Sequence, residues 1–174
     1  MPGFELIGEE ERKAVNELFD DGGVLFAHGF DSMRNDRYHV REFERKFADY
    51  LGVKYAQAVS SGTAALKISL IALGVRPGDE VITQSFTFIA TAEAIIDVGA
   101  KPVFVNINET LNMDPSELES AITDKTAVII PVHMLGVAAE QDKIHIIAKK
   151  YKIPVLDDAC ESLGAEWGNE KLGV

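Results

Sequence analysis

Short runs of branched and aromatic apolar residues recur along this chain with helix-patterned segments between them, and no other feature restricts its fold so strongly. The runs over residues 80–84, 101–107, 127–132 and 153–156 are rich in Val, Ile and Phe and are too short for buried helices. Between them the spacing predicts helices over residues 91–98 and 141–151, and a further helix opening at Asp114. A strand that is apolar along most of its length needs cover on both faces. Joining such strands through helices makes them parallel, so the chain reads as α/β, with a mostly parallel sheet between two helical layers.

Local signals place the ends of these elements. Phe43, Phe47 and Leu51 recur every four residues before Gly52, which predicts a helix over 41–51; an apolar helix over 64–73 ends at Gly74, with a short strand over 55–59 ahead of it. In Asp114-Pro-Ser-Glu117 the aspartate caps a helix, Pro115 takes the first turn, where no amide donor is needed, and Glu117 completes a capping box. There is no internal repeat and no low-complexity linker. Residues 1–40 read as an N-terminal arm and residues 41–174 as one continuous domain.

With 47% apolar residues, the 174-residue chain can bury a substantial core. Its 28 acidic residues against 17 basic ones give a net charge of -11, a field that repels a phosphodiester backbone, so no nucleic-acid partner is expected. The longest apolar stretch, residues 127–139, is interrupted by His133 and is too short for a bilayer, and the acidic start does not resemble a secretory signal. A cytoplasmic protein without membrane association is expected. Cys160 stands alone and Cys-x-x-Cys spacing is absent, so neither a disulfide nor a metal site is expected. Asn108-Glu-Thr110 matches a glycosylation acceptor and, without secretion, is read as coincidence.

In sheets of this kind ligands sit at the carboxyl ends of the strands. Ser60-Ser-Gly-Thr63 falls at such a turn, before the helix over 64–73, where free amides and the helix dipole suit a phosphate. An ordinary N-cap explains the same residues. Dinucleotide and nucleoside-triphosphate glycine patterns are missing from this segment. Asp157 and Asp158 end an apolar strand, and alternation lets only one of them face a given side of the sheet. That one is either a ligand partner or a solvated strand end. Phe88, just past a strand, is either core or a ring that lies on a flat ligand, and His133 reads as a satisfied packing residue.

Taken in order, Ser60-Ser-Gly-Thr-Ala-Ala-Leu66, Gly78-Asp-Glu-Val-Ile82, Phe86-Thr-Phe-Ile-Ala-Thr91, Gly99-Ala-Lys-Pro-Val-Phe104, Pro131-Val-His133 and Asp158-Ala-Cys-Glu-Ser-Leu-Gly164 resemble the DegT-type sugar aminotransferases, which are fold type I pyridoxal-phosphate enzymes. The resemblance implies a three-layer α/β/α architecture, this chain being the N-terminal part of the large domain. It implies pyridoxal 5'-phosphate as cofactor. Gly62, Thr63 and Ala64 would hold its phosphate, Phe88 would stack on its ring and Asp158 would pair with the ring nitrogen. Glu161 takes the position where the family has Gln or His near the cofactor's phenolic oxygen; a carboxylate there disfavours the ionised phenolate unless it is protonated or turned away. The implied reaction moves an amino group, commonly from glutamate, to a sugar aldehyde or ketone in a homodimeric enzyme.

Residues 22–44 depart from the usual family pattern. Met1-Pro-Gly-Phe-Glu-Leu6 and Ser32-Met-Arg-Asn-Asp36 resemble the branch that aminates carbon 8 of the octulosonate sugar Kdo, with nucleotide-linked keto-sugars as the alternative substrates. Arg34 and Arg37 match a sugar-acid carboxylate in geometry, although exposed arginines more often sit in surface ion pairs. The family's Schiff-base lysine matches none of the lysines present, so no catalytic residue is assigned here. The expectation is an N-terminal portion of an enzyme that does not turn over alone; a cofactor- or sugar-binding protein and an assembly module are the other readings.

Overall fold

The computed structural model describes residues 4–174, so the first three residues of the Met1-to-Leu6 segment lie outside the described residues. By compactness the chain divides between Ala58 and Val59. The first unit contains α1 (Glu9–Asp20) and α2 (His39–Leu51), with a short 3-10 turn at Asp31–Met33 between them. Glu9, Glu10 and Glu11 sit at the positive end of α1, and the Gly8 amide donates to the Glu11 carboxylate at 2.7 Å. Helix α2 stops at Gly52, whose φ of 76° is left-handed. The strand expected over residues 55–59 does not form. Its polar groups are met on α2 instead: the Ala58 amide and the Gln57 side chain donate to the Glu44 carboxylate at 2.9 and 2.7 Å.

The second unit runs α3 (Gly62–Ala72), β1 (Glu80–Gln84), α4 (Ile89–Asp97), β2 (Lys101–Val105), α5 (Pro115–Ala121), β3 (Thr126–Ile130) and α6 (Gln141–Tyr151). It closes with a small hairpin, β4 (Glu166–Trp167) and β5 (Glu170–Lys171). The main sheet has the order β2-β1-β3, with β1 parallel to both neighbours. Residues 154–158 extend it beside β3 through parallel bridges from Val155 to Ile129 and from Asp158 to Val132.

Alternation along the strands fills both faces. Val81, Val128, Ile130 and Leu156 pack with Leu66 and Leu70 of α3 and with Ala94 and Ile95 of α4. Ile82, Val105, Ile129 and Val155 pack with Leu118 of α5 and with Ile144 and Ala148 of α6. The sheet therefore lies between two helical layers, as its unbroken apolar runs require.

A second local expectation is corrected. Asp114 caps α5 by accepting from the Ser116 amide at 2.9 Å, and Pro115 takes the first position, but Glu117 completes no capping box. The Asp114 amide is already spent on the Asn106 carbonyl at 3.0 Å. Glu117 instead accepts from the Asn106 amide and side chain, at 3.0 and 2.7 Å, just beyond the end of β2.

Candidate functional site

The chain leaves β1 through α4 toward β2 and leaves β3 through α6 toward residues 154–158, with α4 and α6 in opposite layers. The carboxyl ends of β1 and β3 are therefore a switch point, where the connections part and open a crevice. Helix α3 leads into β1 and packs beside α4, which brings its N-terminus to the same rim.

Gln84, the last residue of β1, ties this rim together and was not singled out from sequence. It is fully buried, and all four of its amide bonds are made. Its Oε1 accepts from the Met113 and Val132 amides, each at 3.1 Å, and its Nε2 donates to the Phe86 and Leu111 carbonyls at 2.9 and 3.3 Å. Asn112 fixes the next turn, accepting from the Met134 amide at 2.9 Å and donating to the Val137 carbonyl at 3.1 Å.

Asp157 and Asp158 part as strand alternation demands. Asp157 turns to the α6 layer, where it accepts from Gln141 Nε2 at 2.9 Å and lies 3.7 Å from His133 Nε2. His133 is fully buried; its Nδ1 accepts from the Ala139 amide at 3.0 Å, and its Nε2 lies 3.0 Å from Gln141 Nε2. Burial works to raise the Asp157 pKa, but the hydrogen bonds from His133 and Gln141 outweigh it and hold this carboxyl below the ordinary value. His133 thus lies in the core, packed against Gln141 and Asp157.

Asp158 turns to the α4 layer. It is 7% exposed and, among the described residues, no cation pairs with it. Its Oδ2 accepts from the Thr91 hydroxyl at 3.1 Å and its Oδ1 from the Cys160 amide at 3.3 Å, so part of its acceptor capacity is open. A buried carboxylate without a counter-charge is costly unless a ligand supplies one. Burial first, and then the neighbouring Asp158, push the Cys160 thiol up to about 12.

At the N-terminus of α3 the Ser61 hydroxyl accepts from the Ala64 amide at 3.1 Å, so the cap forms and takes one of the three amides expected to face a phosphate. The Gly62 and Thr63 amides have no intrahelical partner. No acidic side chain lies in this first turn. Gly62 does not have a positive φ, and a Cβ built there meets nothing within 4 Å, so the chain itself does not demand a glycine at this place.

Phe88 is the N-cap of α4 and is 69% exposed, which overturns its reading as plain core. It lies three residues ahead of Thr91, the hydrogen-bond partner of Asp158. Glu161 is exposed, and its Oε2 accepts from the Leu135 amide at 2.9 Å, in the 3-10 turn Met134–Gly136 that follows β3. Leu135 there has a left-handed φ of 55°. The carboxylate is committed to that turn. Arg34 and Arg37 both belong to the first unit. Arg34 is 5% exposed, donates to the Phe26 carbonyl at 2.7 Å and lies over the Tyr38 ring; Arg37 is ion-paired with Asp21. Thr87, Thr91, Gln84 and Asn112 were not legible as site residues, because only the fold carries their side chains to one rim.

A rim of this kind suits a flat ligand that carries an anionic group, which makes the second unit a doubly wound α/β scaffold for such a molecule. The chain belongs to the DegT/DnrJ/EryC1/StrS aminotransferase family, whose sequence profile matches residues 7–174. Over 133 residues it is 50% identical to UDP-2-acetamido-2-deoxy-3-oxo-D-glucuronate aminotransferase of Pseudomonas aeruginosa, which covers 76% of this chain and 37% of that protein. The crystal structure of 3-amino-5-hydroxybenzoic acid synthase superposes with a TM-score of 0.89 at 36% identity, covering 99% of this chain and 43% of the other. The structure of NtdA from Bacillus subtilis with bound cofactor PMP superposes with a TM-score of 0.79 at 37% identity, covering 91% and 35%. This chain spans less than half the length of each of these relatives. No helix among the described residues is long and apolar enough to cross a membrane.

Proposed function

We propose that this chain holds pyridoxal 5'-phosphate on the rim of its parallel sheet, and that the protein containing it transaminates a keto- or aldehydo-sugar. The observation that carries the reading is the Asp158 carboxylate, buried, hydrogen-bonded to Thr91 and the Cys160 amide and without a cation among the described residues. A protonated ring nitrogen is the donor and counter-charge that such a carboxylate lacks. The α3 N-terminus, with two amides left over from its cap, fits the phosphate, and NtdA, alike in fold, holds the amine form of this cofactor.

When bound, the cofactor would supply a carbonyl for amino-group exchange and an electron-withdrawing ring. The residues of this chain do the holding. Asp158 keeps a proton on the ring nitrogen, the Gly62 and Thr63 amides receive the phosphate, and Phe88 covers one face of the ring against water. Ala64 joins the phosphate site only if the Ser61 hydroxyl releases its amide. Glu161 would act through the Leu135 turn, whose amide its carboxylate binds.

The finer substrate reading is Kdo oxidised at carbon 8, with glutamate as amino donor, supported by the likeness of residues 1–6 and 32–36 to that branch. Arg34 is the arginine suited to the sugar-acid carboxylate, since no ion pair holds it among the described residues, whereas Arg37 is committed to Asp21. A nucleotide-linked keto-sugar is the second reading, favoured by the 50% identity to the Pseudomonas aeruginosa UDP-sugar enzyme. A cytoplasmic homodimer is the proposed form of the whole enzyme.

The test uses the protein at its natural length. Pyridoxal 5'-phosphate is added and its absorption band followed, then glutamate and each candidate sugar are supplied and the products weighed by mass spectrometry. Cofactor uptake with an added amino group on one sugar is expected. Uptake without transfer to any sugar would leave a binding protein, and no uptake would sink the proposal altogether.

A further inference from the structure

Asp158 is aimed by a chain of two threonine hydroxyls that begins at the mouth of α4. Thr91 Oγ1 lies 3.1 Å from Asp158 Oδ2 and 3.0 Å from Thr87 Oγ1. A hydroxyl has one proton to give. A carboxylate only accepts, so the Thr91 proton goes to Asp158 and the proton in the second contact must come from Thr87. Thr87 has a competing acceptor in the Phe88 carbonyl at 3.4 Å, and the shorter bond to Thr91 is the better one. Threonine in a helix usually turns its hydroxyl back to the preceding turn or out to water. Thr91 does neither: it is 1% exposed and its hydroxyl reaches across from α4 to Asp158 at the sheet's edge.

We infer that Thr91 is a positioning residue, with Thr87 behind it, which fixes the Asp158 carboxylate so that its open acceptor positions face the cofactor's ring nitrogen. The inference rests on the pyridoxal-phosphate reading above and adds to it the means by which the carboxylate is held. Two features support a positional role over plain packing. Valine would fill the same volume at this buried site, so space alone does not call for a hydroxyl. The donor also falls on Asp158 alone, whereas its neighbour Asp157 is held separately from the opposite layer. With its Oδ2 tied to the Thr91 hydroxyl, the carboxylate holds one orientation toward the ring nitrogen.

The experiment titrates the full-length protein with pyridoxal 5'-phosphate, natural and labelled with nitrogen-15 in the ring, comparing wild type with Thr91→Val, Thr91→Ser, Thr87→Val and Asp158→Asn. Thr91→Val should weaken cofactor binding about tenfold and shift the ring-nitrogen resonance away from its fully protonated position. Thr91→Ser should restore both to near wild type, and Thr87→Val should show the same shift to a smaller degree. If Thr91→Val leaves resonance and affinity as in wild type while Asp158→Asn changes both, Thr91 only packs and the inference fails alone. If Asp158→Asn changes neither, the pairing of Asp158 with the ring nitrogen fails, and the inference with it. Should Thr91→Val prove unfolded, Thr91→Ser and Thr87→Val carry the decision: a wild-type resonance in Thr87→Val, with no rescue in Thr91→Ser, overturns the relay.

Discussion

Replacing Gln84 by leucine should cost this fold more than any surface change, and the size follows from what the amide holds. Its Oε1 is the acceptor for the Met113 and Val132 amides, both at 3.1 Å, and these residues are 0% and 1% exposed, so water cannot take its place. An orphaned buried donor costs about 1–3 kcal/mol, so two of them cost about 4 kcal/mol. The apolar side chain regains about 1 kcal/mol by its own burial, leaving a net loss of about 3 kcal/mol. Against a typical stability of about 5–15 kcal/mol that is a large fraction. Urea unfolding followed by far-ultraviolet circular dichroism measures it, with the slope checked for constancy between variants. A loss below about 1 kcal/mol, with an unchanged slope, would mean that the rim relaxes around the leucine and that the amide is not its clasp.

Other consequences are open to measurement. Phe88→Ala should leave the melting temperature of the cofactor-free protein nearly unchanged, because the ring is 69% exposed, while weakening pyridoxal 5'-phosphate binding several-fold in a titration; an equal loss in both would make it a packing residue. Cys160 is exposed, yet with its thiol pushed up to about 12 it should react slowly with iodoacetamide near neutral pH, and rapid stoichiometric labelling would contradict the partial desolvation and the Asp158 contact that raise it. The lowered pKa of Asp157 contributes stability that is present above the unfolded carboxylate pKa, near 3.9, and is lost as pH falls through the lower folded value. Asp157→Asn should therefore flatten the acid limb of stability against pH in that window, and an acid limb as steep as in wild type would place the titration elsewhere.

How much of this could be read without coordinates depends on the range over which each signal acts. Strands β1 and β3 and helix α6 lie close to their expected places because their apolar periods are local and strong. Gly52 ends α2 with the left-handed conformation its position called for. The strand over residues 55–59 failed for a non-local reason: β propensity describes fit to a neighbour, and Glu44 of α2 claimed the Ala58 amide first. Glu117 failed likewise, drawn to the Asn106 amide past the end of β2 from a helix where the sequence placed it in a capping box. The polar residues that build the rim, Gln84, Asn112 and Thr91, carry no local signal of the partners they meet. Each is defined by partners between 22 and 67 positions away, as the bonds from Gln84 to Met113, Asn112 to Met134 and Thr91 to Asp158 show.

The adjacent pair Asp157 and Asp158 shows how one local rule becomes chemistry once the layers are in place. Period-2 alternation alone separates the two carboxylates onto opposite faces of the sheet. What each then does is decided by the helix layer it meets. The α6 layer offers His133 and Gln141, and Asp157 becomes a tied, ionised anchor. The α4 layer offers two hydroxyls and no cation among the described residues, so Asp158 is oriented but left without a counter-charge. Exchanging the helical layers in thought would exchange the roles. The anchor also has a consequence for its neighbour: with Asp157 held from one layer and the backbone of Asp158 bonded to Pro131 and His133 at 3.0 and 3.1 Å, the strand end cannot rotate. The freedom left to the Asp158 carboxylate is in its own side chain, which the Thr91 hydroxyl and the Cys160 amide both engage.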